Sequence, residues 1–376
     1  MRSNDPNPQP FTLVPSPGFH NLLQSLDCAI ALSTYEAGKV IMVGHTMQGL
    51  TQLPRTFNKP MGMAVDENRL AVATRDQVLV LGKSARLAVD YHQSPGKYDA
   101  LWVPRAAYFC GEVDIHDMAW GDEGLWAVNT RFSCLSLITD EYSFKPMWQP
   151  SFITDLLPED RCHLNGLAME NGRPAFVTML GESNTEKGWR AEKSQGGLLM
   201  DVSSNAVVTA GLSMPHSPRL IDGRLLVCNS GTGEVLEVDR KTGQTEQIVA
   251  LPGFLRGCTS VGGYLFVGLS QLRDKRSFGG MPLEDTGQKL ESGVAVINLA
   301  TGNLEETLYY QSTVQEIYDV HVLETMRQPG ILAFSPAAAG ESLVIPDNAF
   351  WADKGPAQHA PGERFEDYGT AEKGWH

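Results

Sequence analysis

The sequence lacks the segments that direct a chain out of the cell or into a membrane. The N-terminus, MRSNDPNPQPF, does not follow the charged-then-apolar pattern of a signal peptide. No stretch reaches the roughly 18 consecutive apolar residues of a membrane-spanning helix. No Asn-x-Ser/Thr glycosylation sequon occurs. We therefore expect a soluble cytoplasmic protein that has no membrane partner.

Cysteine is scarce, with six in 376 residues and no Cys-x-x-Cys pair. A chain of this length buries enough apolar surface to fold without disulfide bonds. Cys134 and Cys228 lie inside apolar runs, where a thiol behaves as a small hydrophobic side chain. Buried free thiols are typical of a reducing compartment, in agreement with a cytoplasmic protein.

Positive charge is also in deficit, because 30 Lys and Arg face 44 Asp and Glu, for a net charge of −14. Such a chain repels phosphate backbones, so we predict no nucleic-acid partner. Several catalytic signatures are missing as well. The chain has no G-x-S-x-G elbow, no P-loop and no His-Glu-x-x-His metal motif. These absences argue against a serine hydrolase and a phosphate-binding P-loop.

What the sequence does contain is a loose internal repeat. Five segments, 40 to 55 residues apart, consist of a short strand, a turn and an apolar strand. Their turns, DEN, GDE, ENG, DG and GG, are typical of β-hairpins, and the spacing suits four-stranded propeller blades. The segments begin at Met61, His116, Asn165, His216 and Arg256, and their second strands are predicted to begin at Arg69, Gly124, Arg173, Arg224 and Tyr264.

The two ends of the repeat predict how the ring closes. Residues 28–58 supply three strands without an inner one, and residues 317–324 form an inner-type strand without a blade after it. Pairing them leaves no open edge, so we predict an all-β, six-bladed β-propeller. Seven blades, with residues 331–346 in the ring, are the alternative. The predicted regions are an N-terminal arm at 1–27, the propeller at 28–336 and a loosely ordered C-terminal tail at 337–376.

The starts of the inner strands bring polar side chains to one mouth of the central channel. Imidazole is the commonest side-chain metal ligand and titrates near neutral pH. We predict that His116, His163, Asn165 and His216 surround one divalent metal ion, or that His116 and His216 act as acid–base groups. Arg256 would bind an anionic group of the substrate. The alternative is that these side chains only line a water-filled channel.

The ends of the second strands and two long insertions face the same mouth. Glu36 is a further candidate acid or base. The insertions, residues 181–197 and 271–293, have the length of lids or binding loops. The predicted substrate-binding residues at these strand ends and insertions are Arg75, Asn129, Asn229, Trp189 and Arg273.

These features predict an enzyme that acts at the channel mouth on a polar or anionic small molecule or peptide, with one histidine-bound divalent metal as an option. The alternative is a non-catalytic propeller that binds a peptide or partner protein on the same face. The sequence does not predict an oligomeric state.

Two stretches, HLNGLAMENGRPAFVT and PHSPRLIDGRLLVCNSGTGEVLEVD, resemble hairpins of NHL and gluconolactonase-like (SMP-30) six-bladed propellers. In gluconolactonase-like enzymes the Asn of an Asn-Gly pair helps to bind a divalent metal, which implies that role for Asn165. Across residues 20–336 the chain more closely resembles a bacterial conserved-hypothetical family of six-bladed propellers that has no established reaction. STYEAGKV, DIHDMAW, CHLNGLAM and PHSPR carry this resemblance.

Overall fold

The structure, a computed structural model, describes residues 9–272 and 279–352. Six antiparallel sheets of at least four strands each surround a central channel, and a small two-stranded sheet lies outside them. The predicted six-bladed propeller is therefore confirmed. Within the described residues, every helix is too short or too polar to span a lipid bilayer.

The first half of the described chain builds three blades. Blade 1 uses β2 to β4, blade 2 uses β5 to β8, and blade 3 uses β9 to β12. The elements are β1 (Leu13–Pro15), α1 (Phe19–Ser25), β2 (Cys28–Thr34), β3 (Lys39–Thr46), β4 (Gly49–Thr56), β5 (Met63–Val65), β6 (Arg69–Ala73), β7 (Gln77–Ser84), α2 (Ala85–Val89), β8 (Ala100–Phe109), β9 (Ile115–Gly121), β10 (Gly124–Asn129), β11 (Cys134–Ile138) and β12 (Lys145–Trp148).

The second half builds blades 4 to 6 from β13–β16, β17–β20 and β21–β24, and then closes the ring. Its elements are β13 (Leu164–Glu170), β14 (Arg173–Met179), a 3₁₀ helix (Gly188–Glu192), β15 (Gly197–Asp201), β16 (Ala206–Leu212), β17 (Pro215–Ile221), β18 (Arg224–Asn229), β19 (Glu234–Val238), β20 (Thr245–Ala250), β21 (Phe254–Val261), β22 (Tyr264–Ser270), α3 (Pro282–Asp285), β23 (Gly293–Asn298), β24 (Leu304–Tyr310), β25 (Asp319–Glu324), β26 (Pro329–Ile331), α4 (Pro336–Glu341), β27 (Ser342–Ile345) and β28 (Asn348–Trp351).

The hairpins between the inner and second strands follow the turn chemistry of the sequence. All five second strands begin at the predicted residues. In three of these hairpins both central residues have positive φ, the conformation that two-residue type I′ turns require. These pairs are Asn171–Gly172, Asp222–Gly223 and Gly262–Gly263.

The C-terminal inner strand closes the ring as the sequence predicts. β25 pairs antiparallel with β2, from Cys28 opposite Glu324 to Ser33 opposite Asp319. Blade 1 therefore combines the two ends of the propeller. The described residues after this strand, up to 352, do not form a seventh blade, because β26 adds in parallel to the outer edge of β8. The seven-blade alternative is therefore wrong.

The hydrophobic core is divided into layers between neighbouring blades. Ile30 and Phe266 pack between blades 1 and 6, and Trp126 and Val177 pack between blades 3 and 4. Similar layers fill the other four junctions. The second strands are buried on both faces because each sheet packs between two others. This burial accounts for their nearly continuous apolar sequences, such as LLVCN in β18.

The same kind of hydrogen bond is formed at four of the blade junctions. A hydroxyl at the end of a second strand donates to a carbonyl oxygen on or just before the inner strand of the next blade. The pairs are Ser33 to Met61 (2.6 Å), Thr130 to Leu164 (2.5 Å), Ser230 to Leu255 (2.6 Å) and Ser270 to Ile317 (3.0 Å). These bonds fix the starts of the inner strands, where the candidate site lies.

Both terminal regions add to the ring. β1 pairs with β24 and extends blade 6 outward. Within the segment assigned to the tail, α4 and the β27–β28 hairpin form ordered elements, and the Trp351 indole donates to the Leu87 carbonyl at 3.2 Å. Residues beyond 352 lie outside those described, and the predicted domain boundaries stay predictions.

Candidate functional site

Three of the five aligned segment starts, His116, His216 and Arg256, meet in one cavity of about 240 Å³ at the channel mouth. We call this cavity the chamber. It lies at the end of the channel where the inner strands begin, as the repeat alignment predicts. Its walls are Tyr35, Asp114, His116, Asp160, His163, Trp189, Arg190, Met214, His216, Arg256 and Tyr318.

His116 and His216 are held in the same way by two different blades. The Nδ1 atom of His116 lies 3.0 Å from the Asp114 carbonyl oxygen and 2.8 Å from the Thr130 hydroxyl. The Nδ1 atom of His216 lies 2.8 Å from the Met214 carbonyl oxygen and 3.1 Å from the Ser230 hydroxyl. Each ring is thus anchored by a carbonyl two residues earlier and by the hydroxyl of a blade junction.

These partners determine which ring nitrogen carries the proton. A carbonyl oxygen only accepts hydrogen bonds, and each hydroxyl gives its single proton to the next blade. Nδ1 is therefore the donor in both neutral rings, and Nε2 carries the lone pair. Among the described residues, neither Nε2 atom has a hydrogen-bond partner, so both are available to a ligand.

Burial keeps both rings neutral. The His116 side chain is 6% exposed and His216 is 3% exposed. Burial, with the neighbouring positive charge of Arg256, lowers the pKa of each ring well below its ordinary value. The negative charge of Asp114 raises the pKa of His116 but does not cancel the effect of burial. Both imidazoles are therefore hydrogen-bond acceptors at neutral pH.

His163 is oriented by a carboxylate. Its Nδ1 atom lies 2.9 Å from Asp160 Oδ1, and the Trp189 indole donates to Asp160 Oδ2 at 3.0 Å. The His163 ring lies edge-on to His116, with centroids 4.8 Å apart, and 4.4 Å from the Trp189 ring. The arrangement directs Nδ1 to the carboxylate and leaves Nε2 without a partner among the described residues. A carboxylate–imidazole pair of this kind is suited to proton transfer.

Arg256 is buried without a negative partner. The residue is 8% exposed, and its guanidinium lies 3.8 Å from the centroid of the Tyr318 ring. Within residues 9–272 and 279–352, its side chain forms no hydrogen bond or ion pair. Burial of an uncompensated charge is costly, whereas a bound anion would supply the missing partner.

The two insertions meet above the chamber. Trp189, from the first insertion, packs in one apolar cluster with Met281 and Leu283 from the second. Met214 and Phe254, from blades 5 and 6, complete the contact between the insertions and the ring. The insertions therefore close one side of the chamber with apolar side chains.

Three predicted amide residues do not line the chamber. The Asn129 side-chain oxygen accepts from the Phe132 amide at 3.1 Å, and that of Asn229 accepts from the Ser213 amide at 2.7 Å. The Asn129 contact stabilises the turn after its second strand, and Asn229 does the same through its amide nitrogen, which donates to the Thr232 hydroxyl at 2.8 Å. Asn165 is buried and accepts from the Thr178 hydroxyl at 2.8 Å, while its amide nitrogen has no partner among the described residues.

Two charged candidates lie elsewhere. Glu36 is exposed and outside the chamber, and its backbone amide donates to the Glu316 carboxylate at 3.2 Å. Arg75 pairs with Glu112 at 2.8 Å in an adjoining cavity. Arg273 lies outside the described residues.

The adjoining cavity, which we call the vestibule, has a volume of about 400 Å³ and shares four of its walls with the chamber. The shared residues connect the enclosed site to the surface. The vestibule is lined by Tyr35, Lys59, Met61, Arg75, Glu112, Asp114, Arg131, Pro158, Glu159, Asp160, Lys187 and Arg190.

The inner strands also carry a second polar cluster, which we call the plug. Arg219 of blade 5 donates to both carboxylate oxygens of Asp117 of blade 3, at 2.8 and 3.3 Å. Asp319 of blade 1 accepts from the Met63 amide at 2.8 Å and contacts His321 at 3.2 Å. The plug therefore joins alternate blades across the axis.

The geometry gives the predicted metal site little support. Within the described part of the chain, no three His, Cys, Asp or Glu residues are grouped closely enough to hold a metal ion. Asp117, the residue after His116, is committed to Arg219. The positive charge of Arg256 also favours an anion over a cation in the chamber.

Sequence reasoning missed Asp160 and the two anchoring carbonyls. Asp160 lies three residues before His163, in a segment without a strand signal. A usable signal was present in the hydroxyl residues that end the second strands, as in AVNT and LLVCNS. Two of these hydroxyls, of Thr130 and Ser230, contact the chamber histidines.

The comparisons with known proteins agree with the fold. Residues 17–332 match the model of a family described as "Domain of unknown function (DUF4915)". No curated protein matches the sequence. A chain of the solved structure "Crystal structure of Nidogen/Laminin Complex" aligns with a TM-score of 0.51 and 9% identity, over 79% of this chain and 99% of its own. A protein of unknown function from Bacteroides caccae aligns with a TM-score of 0.47 and 9% identity, over 79% and 98%.

Proposed function

Since the chain belongs to the DUF4915 family, whose description gives no activity, we propose a function from the chamber itself: it binds a hydroxylated organic anion and acts on it by proton transfer. The observation that carries this proposal is Arg256, a buried cation without a negative partner among the described residues. A carboxylate or phosphate group of the ligand would accept hydrogen bonds from the guanidinium.

His116 and His216 indicate which groups the ligand carries beside its anionic group. The free Nε2 atoms of His116 and His216 accept hydrogen bonds, so the ligand must offer donors beside its negative charge. An ammonium group next to Arg256 is disfavoured because the two positive charges repel each other. Hydroxyl groups satisfy both conditions, which points to a hydroxy acid or a related polyhydroxylated anion.

His163 supplies the proposed chemistry. Asp160 holds its Nδ1–H at 2.9 Å, so Nε2 is oriented to take a proton from the ligand. The ring lies beside His116, which places the proton acceptor next to the hydroxyl-binding groups. The alternative, a binding platform without catalysis, uses the same chamber without proton transfer by His163.

The test begins with binding of glycerate, a small hydroxy acid, measured by calorimetry or ligand-observed NMR. Arg256→Met should abolish the binding, whereas Arg240→Met, which removes a surface pair with Glu170, should leave it unchanged. Glycerate binding that is equal in the unaltered protein and Arg256→Met would contradict the proposal.

A second measurement separates an enzyme from a binder. A panel of hydroxy acids is incubated with the protein in D₂O, and turnover or deuterium incorporation is followed by NMR. We expect His163→Gln to stop the reaction while ligand binding persists. If no panel member that binds is changed, the chamber is a binding site and the catalytic part of the proposal fails.

A histidine-bound divalent metal is the second candidate. It rests on the Nε2 atoms of His116 and His216, which have no partner among the described residues. Since no three described His, Cys, Asp or Glu side chains form a group, the remaining metal ligands would be water or substrate. Elemental analysis of protein purified without an affinity tag tests it. Stoichiometric metal that is lost in both His116→Ala and His216→Ala would support this candidate, and metal-free protein that still binds glycerate would exclude it.

A further inference from the structure

The vestibule carries positive charge that the protein itself does not balance. Arg75 pairs with Glu112, and Glu159 pairs with Arg161 at 2.8 Å. Asp160 is occupied by His163 and Trp189. Lys187 pairs with Glu186 at 3.1 Å. Five of the charged side chains that line the vestibule are thus accounted for or tied to the chamber.

Three other cations of the vestibule have no carboxylate partner among the described residues. Lys59 contacts the Tyr35 hydroxyl at 3.3 Å, and Arg131 donates to the Glu112 backbone carbonyl at 3.1 Å. The Arg190 guanidinium lies 5.3 Å from the centroid of the Trp189 ring. Since the chain as a whole carries a net charge of −14, three unpaired cations around one cavity are a local reversal of sign.

The remaining acid does not cancel this excess. Asp114 lies between the two cavities, where its carboxylate is 3.9 Å from the Nδ1 atom of His116. Asp160 also keeps its negative charge, because hydrogen bonds from an imidazole and an indole do not neutralise a carboxylate. Two carboxylates against three cations still leave the vestibule positive. An anion placed there would gain two arginines, which bind carboxylate and phosphate oxygens through paired N–H groups, and one lysine.

The chamber and vestibule are also continuous. Tyr35, Asp114, Asp160 and Arg190 line both cavities, so one ligand can extend from Arg256 to the surface without crossing a wall. Together the cavities hold two separate sets of unpaired cations, one buried at Arg256 and one exposed at the vestibule.

We propose that the ligand carries two anionic groups, one bound by Arg256 in the chamber and one bound in the vestibule by Lys59, Arg131 and Arg190. This inference rests on the proposed function of the chamber and makes the ligand class narrower. The second group is a phosphate or a carboxylate, joined to the hydroxylated part of the same molecule.

The test compares matched ligands that differ in the second group. Glycerate has one anionic group and a terminal hydroxyl. In 3-phosphoglycerate this hydroxyl is esterified with phosphate, and in malate a carboxylate takes its place, so all three keep the hydroxyl next to the first carboxylate. Binding is measured by calorimetry at constant ionic strength for the unaltered protein, Lys59→Gln, Arg131→Gln and Arg256→Met. Arg240→Gln is the control for loss of one surface cation.

We expect at least one dianion to bind more than about tenfold more tightly than glycerate, with a steeper loss of affinity as salt rises. Lys59→Gln and Arg131→Gln should remove most of this advantage and leave glycerate binding unchanged. Arg256→Met should weaken all three ligands. The better dianion identifies the second group as phosphate or carboxylate.

The outcomes separate the two proposals. If the dianions bind no better than glycerate, or keep their advantage in both vestibule variants, the second subsite is wrong while the chamber stands. If Arg256→Met has no effect on any of the three ligands, the proposed function of the chamber fails, and the inference built on it fails too.

Discussion

The chamber and the plug are both polar clusters on the same inner strands, yet they differ in how their charges are satisfied. In the plug, Arg219 and Asp117 form two hydrogen bonds with each other, and further contacts to the backbone. In the chamber, Arg256 has no carboxylate partner among the described residues. A burial pattern alone does not distinguish them, since both clusters are almost enclosed.

The difference shows which polar residues of a propeller channel serve the fold and which are left for a ligand. A buried charge whose partners are supplied by the protein stabilises one arrangement of blades. A buried charge without a partner lowers stability, and is expected where binding requires it. The comparison predicts opposite consequences for removing each arginine.

The largest expected effect is on stability, from breaking the plug. Arg219→Met leaves the Asp117 carboxylate buried without its cation, which costs about 3–5 kcal/mol. The free energy of unfolding is measured by chemical denaturation. The double variant Arg219→Met/Asp117→Leu removes both charges and should recover much of the loss. A single variant as stable as the unaltered protein would show that the plug does not stabilise the ring.

The matching substitution in the chamber, Arg256→Met, should change ligand affinity much more than stability. Arg256→Met removes an unpaired charge and should alter the free energy of unfolding by about 1 kcal/mol or less, in either direction. It should lower the affinity for glycerate by more than about tenfold. A large loss of stability, with unfolding before binding can be measured, would place Arg256 with Arg219 as a structural residue.

The chamber histidines predict a pH dependence. Because burial lowers the pKa of His116 and His216, the unfolded chain takes up more protons than the folded one as the pH falls below the unfolded value of about 6.5. Their contribution to stability is complete above that pH and declines below it, by up to about 1.4 kcal/mol per pH unit for each ring.

This dependence is measured by chemical denaturation between about pH 7.5 and about pH 5.5. His216→Gln should reduce the loss of stability over this range, and His116→Gln/His216→Gln should reduce it further. The effect should be smaller when a saturating anion is present, since negative charge favours the protonated rings. An identical pH profile in the double variant would mean that the rings are not buried as neutral groups.

The smallest expected effect is at the Thr130 hydroxyl, which contacts both the next blade of the propeller and the chamber residue His116. Thr130→Val removes the donor to the Leu164 carbonyl and an acceptor for His116 Nδ1. We expect about 1 kcal/mol lower stability and a modest loss of ligand affinity. Thr130→Ser keeps the hydroxyl and is the control. If valine and serine behave alike, the hydrogen bonds at this junction contribute nothing measurable.

The repeat pattern accounts for how well the fold was predicted. Hairpin turns such as Asp222–Gly223 require positive φ, so their positions are readable from single residues. The spacing of these turns gave the five second strands, and the unpaired fragments at the two ends gave the closure of blade 1.

The candidate site was only partly predictable, for a physical reason. The repeat alignment placed His116, His216 and Arg256 at one mouth, because equivalent positions on inner strands lie at equal heights in the ring. It could not show that Asn129 and Asn229 are used by their own turns, since a turn and a ligand compete for the same amide groups. Nor could it separate Asp117, which is paired, from Asp160, which orients a histidine.

The sequence by itself determined the number of blades, the hairpins and the height of the polar residues along the channel, because these follow from local turn chemistry and a regular period. Only the tertiary structure decided which charges meet. Arg219 and Asp117 are 102 residues apart and belong to different blades, while Arg256 forms no ion pair within the part of the chain that the structure describes. Partners across a closed ring are set by the direction of each side chain, which no local pattern encodes.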